Sequence, residues 1–330
     1  MKPFSYYRAT DAGTAVLQLA AGAKSSVIAG GTNLVDLMKK HVMCPAEVVD
    51  IARLPVSEIK QTMDGGLSLG ALATNTNTAR HPEVVSRYPL LAEAILAGAS
   101  PQLRNRATNG GNLLQRTRCA YFYDAELPCN KRQPGSGCPA LTGYNRSHAI
   151  LGASDHCIAT HPSDMCVALA ALDAIIVLER NGTRRSIPIA DFHRLPGDHP
   201  EIDTVIEPDE LVVAIELPAK GFPDHHHYLK IRDRRSYAFA LVSVAAALEI
   251  NDGIIVDVRI ALGGVAHKPW RKKEAEGLLL GHPPSLEAFE EAALLLLRGA
   301  EAHAFNAFKI PLARAAITRA LAEASRLNPA

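Results

Sequence analysis

Net charge is what this sequence most lacks: 35 Lys and Arg stand against 34 Asp and Glu in 330 residues. No whole-protein field exists to recruit a nucleic-acid backbone or an anionic membrane, so any charged site must be local. Long apolar runs are missing too. The most core-like uncharged stretch, Ala238 to Leu248, is eleven residues, against the ~18 to 20 that cross a bilayer, so no membrane span is expected. Met1-Lys2-Pro3-Phe4-Ser5-Tyr6-Tyr7-Arg8 holds no apolar segment followed by a small-residue cleavage site, so no secretory signal is expected there. The absence of a C-x-x-C knuckle argues against a small zinc ribbon. No H-E-x-x-H motif occurs, and no Ser-His-Asp or Cys-His nucleophile can be picked out. What is present, 48% hydrophobic residues, builds cores for roughly two domains at ~150 residues each and excludes intrinsic disorder.

The first fifty residues alternate in type. A strand at Ser5 to Arg8 leads to a helix opened by Thr10 and Asp11, with Ala15, Val16, Leu19 and Ala20 at helical spacing. Ser26 to Ala29 reads as a buried strand, Gly30 to Asn33 as a tight turn, Leu34 to Lys40 as a helix and Val48 to Asp50 as another strand. This β-α-β lobe is expected to span residues 1–55. A second lobe, 56–220, carries a helix near Tyr88 to Ala97, a long polar stretch from Gln102 to Tyr144 and a helix from Asp164 to Leu172. Strands follow at Ala174 to Glu179, Thr183 to Ile187 and Leu211 to Leu217. Irregular stretches of such length are usually functional. A third, α+β lobe, 221–330, has a strand at Tyr228 to Ile231 and a hairpin of Ala238 to Ile250 with Ile254 to Leu262. Helices then run to the end, broken at Gly281 to Pro284 and around Pro311. Asn181-Gly182 and Asn251-Asp252-Gly253 mark the two hairpin turns, because such turn residues need positive φ.

Two glycine pairs, Gly30-Gly31 and Gly110-Gly111, each lie in a loop with Thr and Asn. Adjacent glycines let successive amides approach an anion that Cβ atoms would hold off. Two such loops suit a dinucleotide gripped from both sides, the first at a helix N-terminus, though ordinary structural turns have the same composition. Gly135-Ser136-Gly137-Cys138-Pro139-Ala140 fits a G-x-G-x-x-A pattern but lacks a preceding strand, and we reject it as a nucleotide fingerprint. Four of the six cysteines, Cys119, Cys129, Cys138 and Cys157, are separated by nine, eight and eighteen residues. Thiolates gathered from an irregular loop suit a cubane iron-sulfur cluster; zinc, and unbound or disulfide-paired thiols, stay open on spacing alone. Cys44 and Cys166 read as packed thiols, the His225-His226-His227 tract as the start of a strand, and Asp164 as a helix cap.

In order, these segments resemble the FAD-binding medium subunit of the molybdenum hydroxylases, the xanthine dehydrogenase and carbon monoxide dehydrogenase family. The resemblance rests on Val27-Ile28-Ala29-Gly30-Gly31-Thr32-Asn33-Leu34, on Gln102 to Leu113 with Thr108-Asn109-Gly110-Gly111-Asn112, and on Pro162-Ser163-Asp164, Glu210-Leu211-Val212, Lys230 and Arg234-Arg235. The cysteine loop, 113–157, is similar to that of bacterial periplasmic aldehyde oxidoreductase medium subunits.

The resemblance implies a two-lobed FAD-binding fold of the vanillyl-alcohol oxidase type with a C-terminal CO-dehydrogenase-flavoprotein domain. It implies FAD held by Val27 to Leu34 and Thr108 to Asn112, with Asp164 bonded to it, Val212 bounding its pocket and Lys230 near the flavin ring. Cys119, Cys129, Cys138 and Cys157 would ligate a 4Fe-4S cluster. The implied role is electron transfer to an external acceptor during oxidation of aldehydes to carboxylic acids. Substrate chemistry would lie on a large molybdopterin-binding subunit, a small subunit with two 2Fe-2S clusters would relay the electrons, and a signal-bearing partner would carry the complex to the periplasm. Alternatives are a xanthine dehydrogenase or 4-hydroxybenzoyl-CoA reductase type subunit, a cytoplasmic location, or a zinc-stabilised docking scaffold.

Overall fold

The computed structural model describes residues 1–22 and 24–327. Asp11 starts the first helix, Ala12–Ala21, by accepting from the Thr14 amide at 2.7 Å, and the Thr14 hydroxyl in turn accepts from the Asp11 amide. That helix buries Ala15 and Val16 against a parallel sheet of β1 (Ser5–Arg8), β2 (Ser25–Ile28) and β3 (Glu47–Asp50), ordered β1-β3-β2. In this order the C-terminal end of β2 runs into the Gly30-Gly31 turn and the helix Leu34–Lys39.

The second sheet is antiparallel, ordered β4-β5-β8-β6-β7, from β4 (Ile59–Gln61), β5 (Leu67–Gly70), β6 (Ile175–Arg180), β7 (Thr183–Pro188) and β8 (Leu211–Leu217). Asn181 and Gly182 take φ of 48° and 77°, so both turn residues between β6 and β7 are left-handed as expected. The helices Pro89–Ala97 and Asp164–Ala171 belong to the core that covers this sheet. Alternate residues of β6 separate two cores: Ile176 and Leu178 join these helices, whereas Val177 packs with Val16, Val49 and Leu54 of the first lobe.

The third sheet is a meander of β9 (His225–Ile231), β10 (Val242–Asn251) and β11 (Ile254–Gly263). β10 is buried on both faces, which explains its uninterrupted apolar run. Val242, Val244, Ala246 and Leu248 face the C-terminal helices Leu286–Leu296 and Lys309–Ser325; Ala245 and Ala247 join the core around Asp164–Ala171. Three expectations shift. β9 begins at His225, and its three histidines alternate across the strand. β10 begins four residues later than expected, at Val242, because Tyr237 turns at a φ of 51° and Arg234 donates to its carbonyl at 3.0 Å. Pro311 does not break the last helix but sits in its first turn, where a missing N–H leaves no bond unmade. Among the described residues no helix is long and apolar enough to cross a membrane.

Candidate functional site

The two glycine loops meet back to back. A Cβ on Gly30 would stand 1.9 Å from the Arg106 carbonyl oxygen and 2.8 Å from its carbon, so only glycine lets the loops approach this closely. Gly31 turns at a φ of 76°. Among the described residues the amides of Gly30, Gly31, Thr32 and Asn33 donate to no protein acceptor. The Asn33 carboxamide accepts from the Arg116 amide at 3.0 Å through Oδ1, while its buried Nδ2 has no partner. Unspent donors of this kind, at the end of β2, suit an anionic or acceptor-rich ligand.

The second loop is built differently, which corrects the expectation of two matching amide cradles. Asn109 and Gly110 donate their amides to Ala73 and Ala71 (3.0 and 2.8 Å), Asn112 donates to Thr108 (2.8 Å), and the Thr108 hydroxyl accepts from Gly111 at 3.2 Å. The fully buried Asn109 carboxamide is tied to Asn75, Thr78 and Gly70, so Asn109 presents nothing to a ligand. Thr108, Gly110, Gly111 and Asn112 instead offer surface.

Two cavities meet along these loops at Gly31, Thr32, Asn33 and Gly111. The smaller, about 270 Å³, is lined by all eight residues Val27 to Leu34 and by Thr108, Gly110 and Val212. The larger, about 830 Å³, runs past Gly111 and Asn112 to Asp164, Met165, Lys230, Tyr237 and Phe239. Together they form an elongated groove between the lobes. At its far end Lys230 Nζ donates to Asp164 Oδ2 at 2.7 Å and to the Ala97 carbonyl at 3.1 Å, and the Tyr228 hydroxyl donates to Asp164 Oδ1 at 2.8 Å. Asp164 therefore does not cap its helix; Ser163 does, accepting from the Cys166 amide at 3.1 Å. Lys230→Met is expected to lower unfolding free energy by about 3–5 kcal/mol, because it strands a buried carboxylate. Adding Asp164→Asn should restore most of it in denaturant melts, and equal losses in single and double variants would rule out that cause.

The cysteine loop closes on itself through local bonds: Cys129 donates its amide to Ser136 Oγ (2.9 Å), Asn130 to the Gly137 carbonyl (2.8 Å), and Gly137 to Asn130 Oδ1 (2.7 Å). Cys119, Cys129, Cys138 and Cys157 line one small cavity with Phe122 and Lys131. Backbone amides point at three of the sulfurs, from Tyr121 and Phe122 to Cys119, from Ala140, Leu141 and Ile158 to Cys138, and from Ala159 to Cys157. Cys157 donates to Cys138 and holds that thiol below the usual range, while Cys157 itself is pushed up; burial raises Cys119 to about 11. His148 Nε2 lies 3.1 Å from Cys119 Sγ. No three of the four sulfurs stand within 4.8 Å of one another, whereas a single tetrahedral zinc at about 2.3 Å from each sulfur would draw them to roughly 3.8 Å apart.

The loop is anchored by Asp203, which receives Arg116 at 2.6 Å and the buried Lys131 at 2.5 Å. Against the upward push of burial, these two cations hold the Asp203 carboxyl down to about 2. The sequence reading missed Asp203, His148 and Tyr228. Only Tyr228 left a signal, its two-residue spacing from Lys230 on one face of β9. Cys44 is exposed, not packed, because it lies in the connection between the helix Leu34–Lys39 and β3. The histidine tract gathers no metal set: His225 meets the Ala324 carbonyl and His226 meets Glu93.

Comparison with known proteins matches the whole length. A family described as the FAD binding domain in molybdopterin dehydrogenase covers residues 2–220, and the CO dehydrogenase flavoprotein C-terminal domain covers 227–324. The chain is 48% identical over 325 residues to the aldehyde oxidoreductase FAD-binding subunit PaoB of Escherichia coli K12, covering 98% of this chain and 99% of that one. It is 28% identical to the carbon monoxide dehydrogenase medium chain of Hydrogenophaga pseudoflava, covering 88% of this chain and 84% of that one. Of solved structures, a carbon monoxide dehydrogenase from Hydrogenophaga pseudoflava lacking the Mo-pyranopterin moiety superposes with a TM-score of 0.76 at 27% identity, covering 98% of each chain. Quinoline 2-oxidoreductase from Pseudomonas putida 86 gives 0.75 at 25% identity over 99% of each.

Proposed function

The chain belongs to the FAD-binding medium subunits of the molybdenum hydroxylases, and from that premise we propose that it is the FAD- and 4Fe-4S-containing electron-transfer subunit of a molybdenum-dependent aldehyde oxidoreductase. The chain would receive electrons from the clusters of a small 2Fe-2S partner and pass them to an external acceptor, while a large molybdopterin-bearing partner oxidises the aldehyde. The near-complete alignment to an aldehyde oxidoreductase subunit supports the substrate class. A periplasmic location, reached by co-export with a signal-bearing partner, belongs to the same proposal.

The observation that carries the reading is the pairing, in one chain, of an elongated groove lined by unspent amides with a four-thiol cavity. FAD, when bound, supplies the exchange between electron donors and the final acceptor. Gly30, Gly31, Thr32 and the Asn33 carboxamide would satisfy its acceptor-rich diphosphate region; Gly110 and Gly111 would offer a surface without side chains, and Val212 would close the smaller cavity. Asp164 would accept a hydrogen bond from it, and Lys230 would place a cation at the flavin end, held in place by Asp164 and Ala97. Cys119, Cys129, Cys138 and Cys157 would each give one thiolate to the cluster, with backbone amides and Lys131 offsetting the negative charge.

The test is to coexpress the chain with its two partners and isolate it anaerobically. The expected preparation shows flavin absorption over a broad iron-sulfur shoulder, with iron on this chain after the subunits are separated. Colourless protein containing zinc would overturn the reading.

A further inference from the structure

Cys166 lies outside the four-cysteine cavity, in the helix Asp164–Ala171, and is fully buried. Its thiol keeps company with His161 and His193: one ligand atom from each lies within 4.8 Å of the other two, the only such trio of His, Cys, Asp or Glu among the described residues. The two imidazole rings have centroids 4.3 Å apart. Their nitrogens are conspicuously unspent for a protein interior. His193 bonds the Leu113 carbonyl through Nε2 at 2.9 Å, which fixes the proton on that nitrogen and leaves Nδ1 a bare lone pair without a partner. That is the arrangement by which a metal-ligating histidine is oriented, its far N–H donated to a carbonyl. Both ring nitrogens of His161 are shielded and unpartnered as well.

His161 lines a cavity of about 170 Å³ that shares Arg118, Pro162, Asp164 and Phe239 with the large groove.

We propose that His161, Cys166 and His193 form a second, mononuclear site for a transition-metal ion that favours imidazole and thiolate, distinct from the four-cysteine cavity. On binding Zn²⁺, the Cys166 S–H bond breaks and one Zn–S and two Zn–N bonds form. One proton is released, no electron moves, and a water from the cavity completes four ligands. The ion would tie the segment after Cys157 to the helix that carries Asp164 and to the residue that follows the short helix Ile189–Phe192.

The test uses Zn²⁺ as the probe. The full complex, stripped with chelator and re-equilibrated with Zn²⁺, is expected to hold one zinc per chain that Cys129→Ser does not remove. Crystals measured on either side of the zinc absorption edge should show an anomalous peak between the three side chains. Cys166→Ser, and separately His193→Gln, which keeps an amide for the Leu113 carbonyl, should each release that zinc and leave iron and flavin at wild-type content. Zinc retained by both variants, or crystals without a peak at this position, overturns the proposal. Because zinc and iron are read separately, loss of the cluster reading leaves this test intact.

Discussion

Gly30→Ala is expected to give a chain that folds its C-terminal lobe but retains less than a tenth of the wild-type flavin. The added carbon would lie 1.9 Å from the Arg106 oxygen, and the obstruction is backbone, which cannot rotate aside as a side-chain end can. Either the turn after β2 or the segment Arg106–Ala107 must move, and each carries one wall of the groove. Moving the first would misplace the unspent amides of Gly30 to Asn33; moving the second would pull at the Ala107 carbonyl, which accepts from the Asn75 amide at 2.8 Å. Overpacking of this kind costs roughly 1–3 kcal/mol in stability. The larger loss falls on binding, because misplaced donors no longer pair with the ligand. Gly277→Ala is the matched control, since its Cβ would meet nothing within 4 Å. Flavin content within twofold of wild type in Gly30→Ala would show that the two loops can separate without cost, and the cradle would lose its physical basis.

The difference between what was legible and what was not follows the range of the interactions. Local signals carried far: the left-handed pairs at Asn181-Gly182 and Asp252-Gly253 set the hairpins, and Asp11 announced the first helix. The groove could be located because its amides come from one contiguous turn, Gly30 to Asn33. The second glycine pair misled because sequence cannot tell whether an amide is already spent; Ala71 and Ala73, some forty residues upstream, consume the amides of Gly110 and Asn109. Asp203 was invisible for the same reason. Nothing near it in the chain marks an anchor for Arg116 and Lys131, whose partners are chosen by tertiary packing. The trio of His161, Cys166 and His193 escaped because its members do not share a motif spacing, and Cys166 alone resembles any small core residue.

Cys129→Ser is the other change with a large expected effect: iron on this chain should fall from about the four atoms of a cubane to less than one, while flavin stays near stoichiometric. Serine is nearly the same size, so the loop bonds of Cys129 and Asn130 to Ser136 and Gly137 survive, and only the soft donor is lost. The retention of flavin is the more demanding half. The cysteine loop leaves the groove directly beside it, and the Arg116 amide donates to Asn33 Oδ1 at 3.0 Å. Arg116 is in turn bound to Asp203 at 2.6 Å, and Lys131, two residues after Cys129, meets the same carboxylate. With Asp203 lowered to about 2, both ion pairs persist throughout the neutral range, so the anchor should hold Arg116 in place even when the cavity has lost a ligand. Concerted loss of iron and flavin would mean that the anchor fails and the two sites are one cooperative unit. Iron unchanged at four atoms would remove Cys129 from the ligand set altogether.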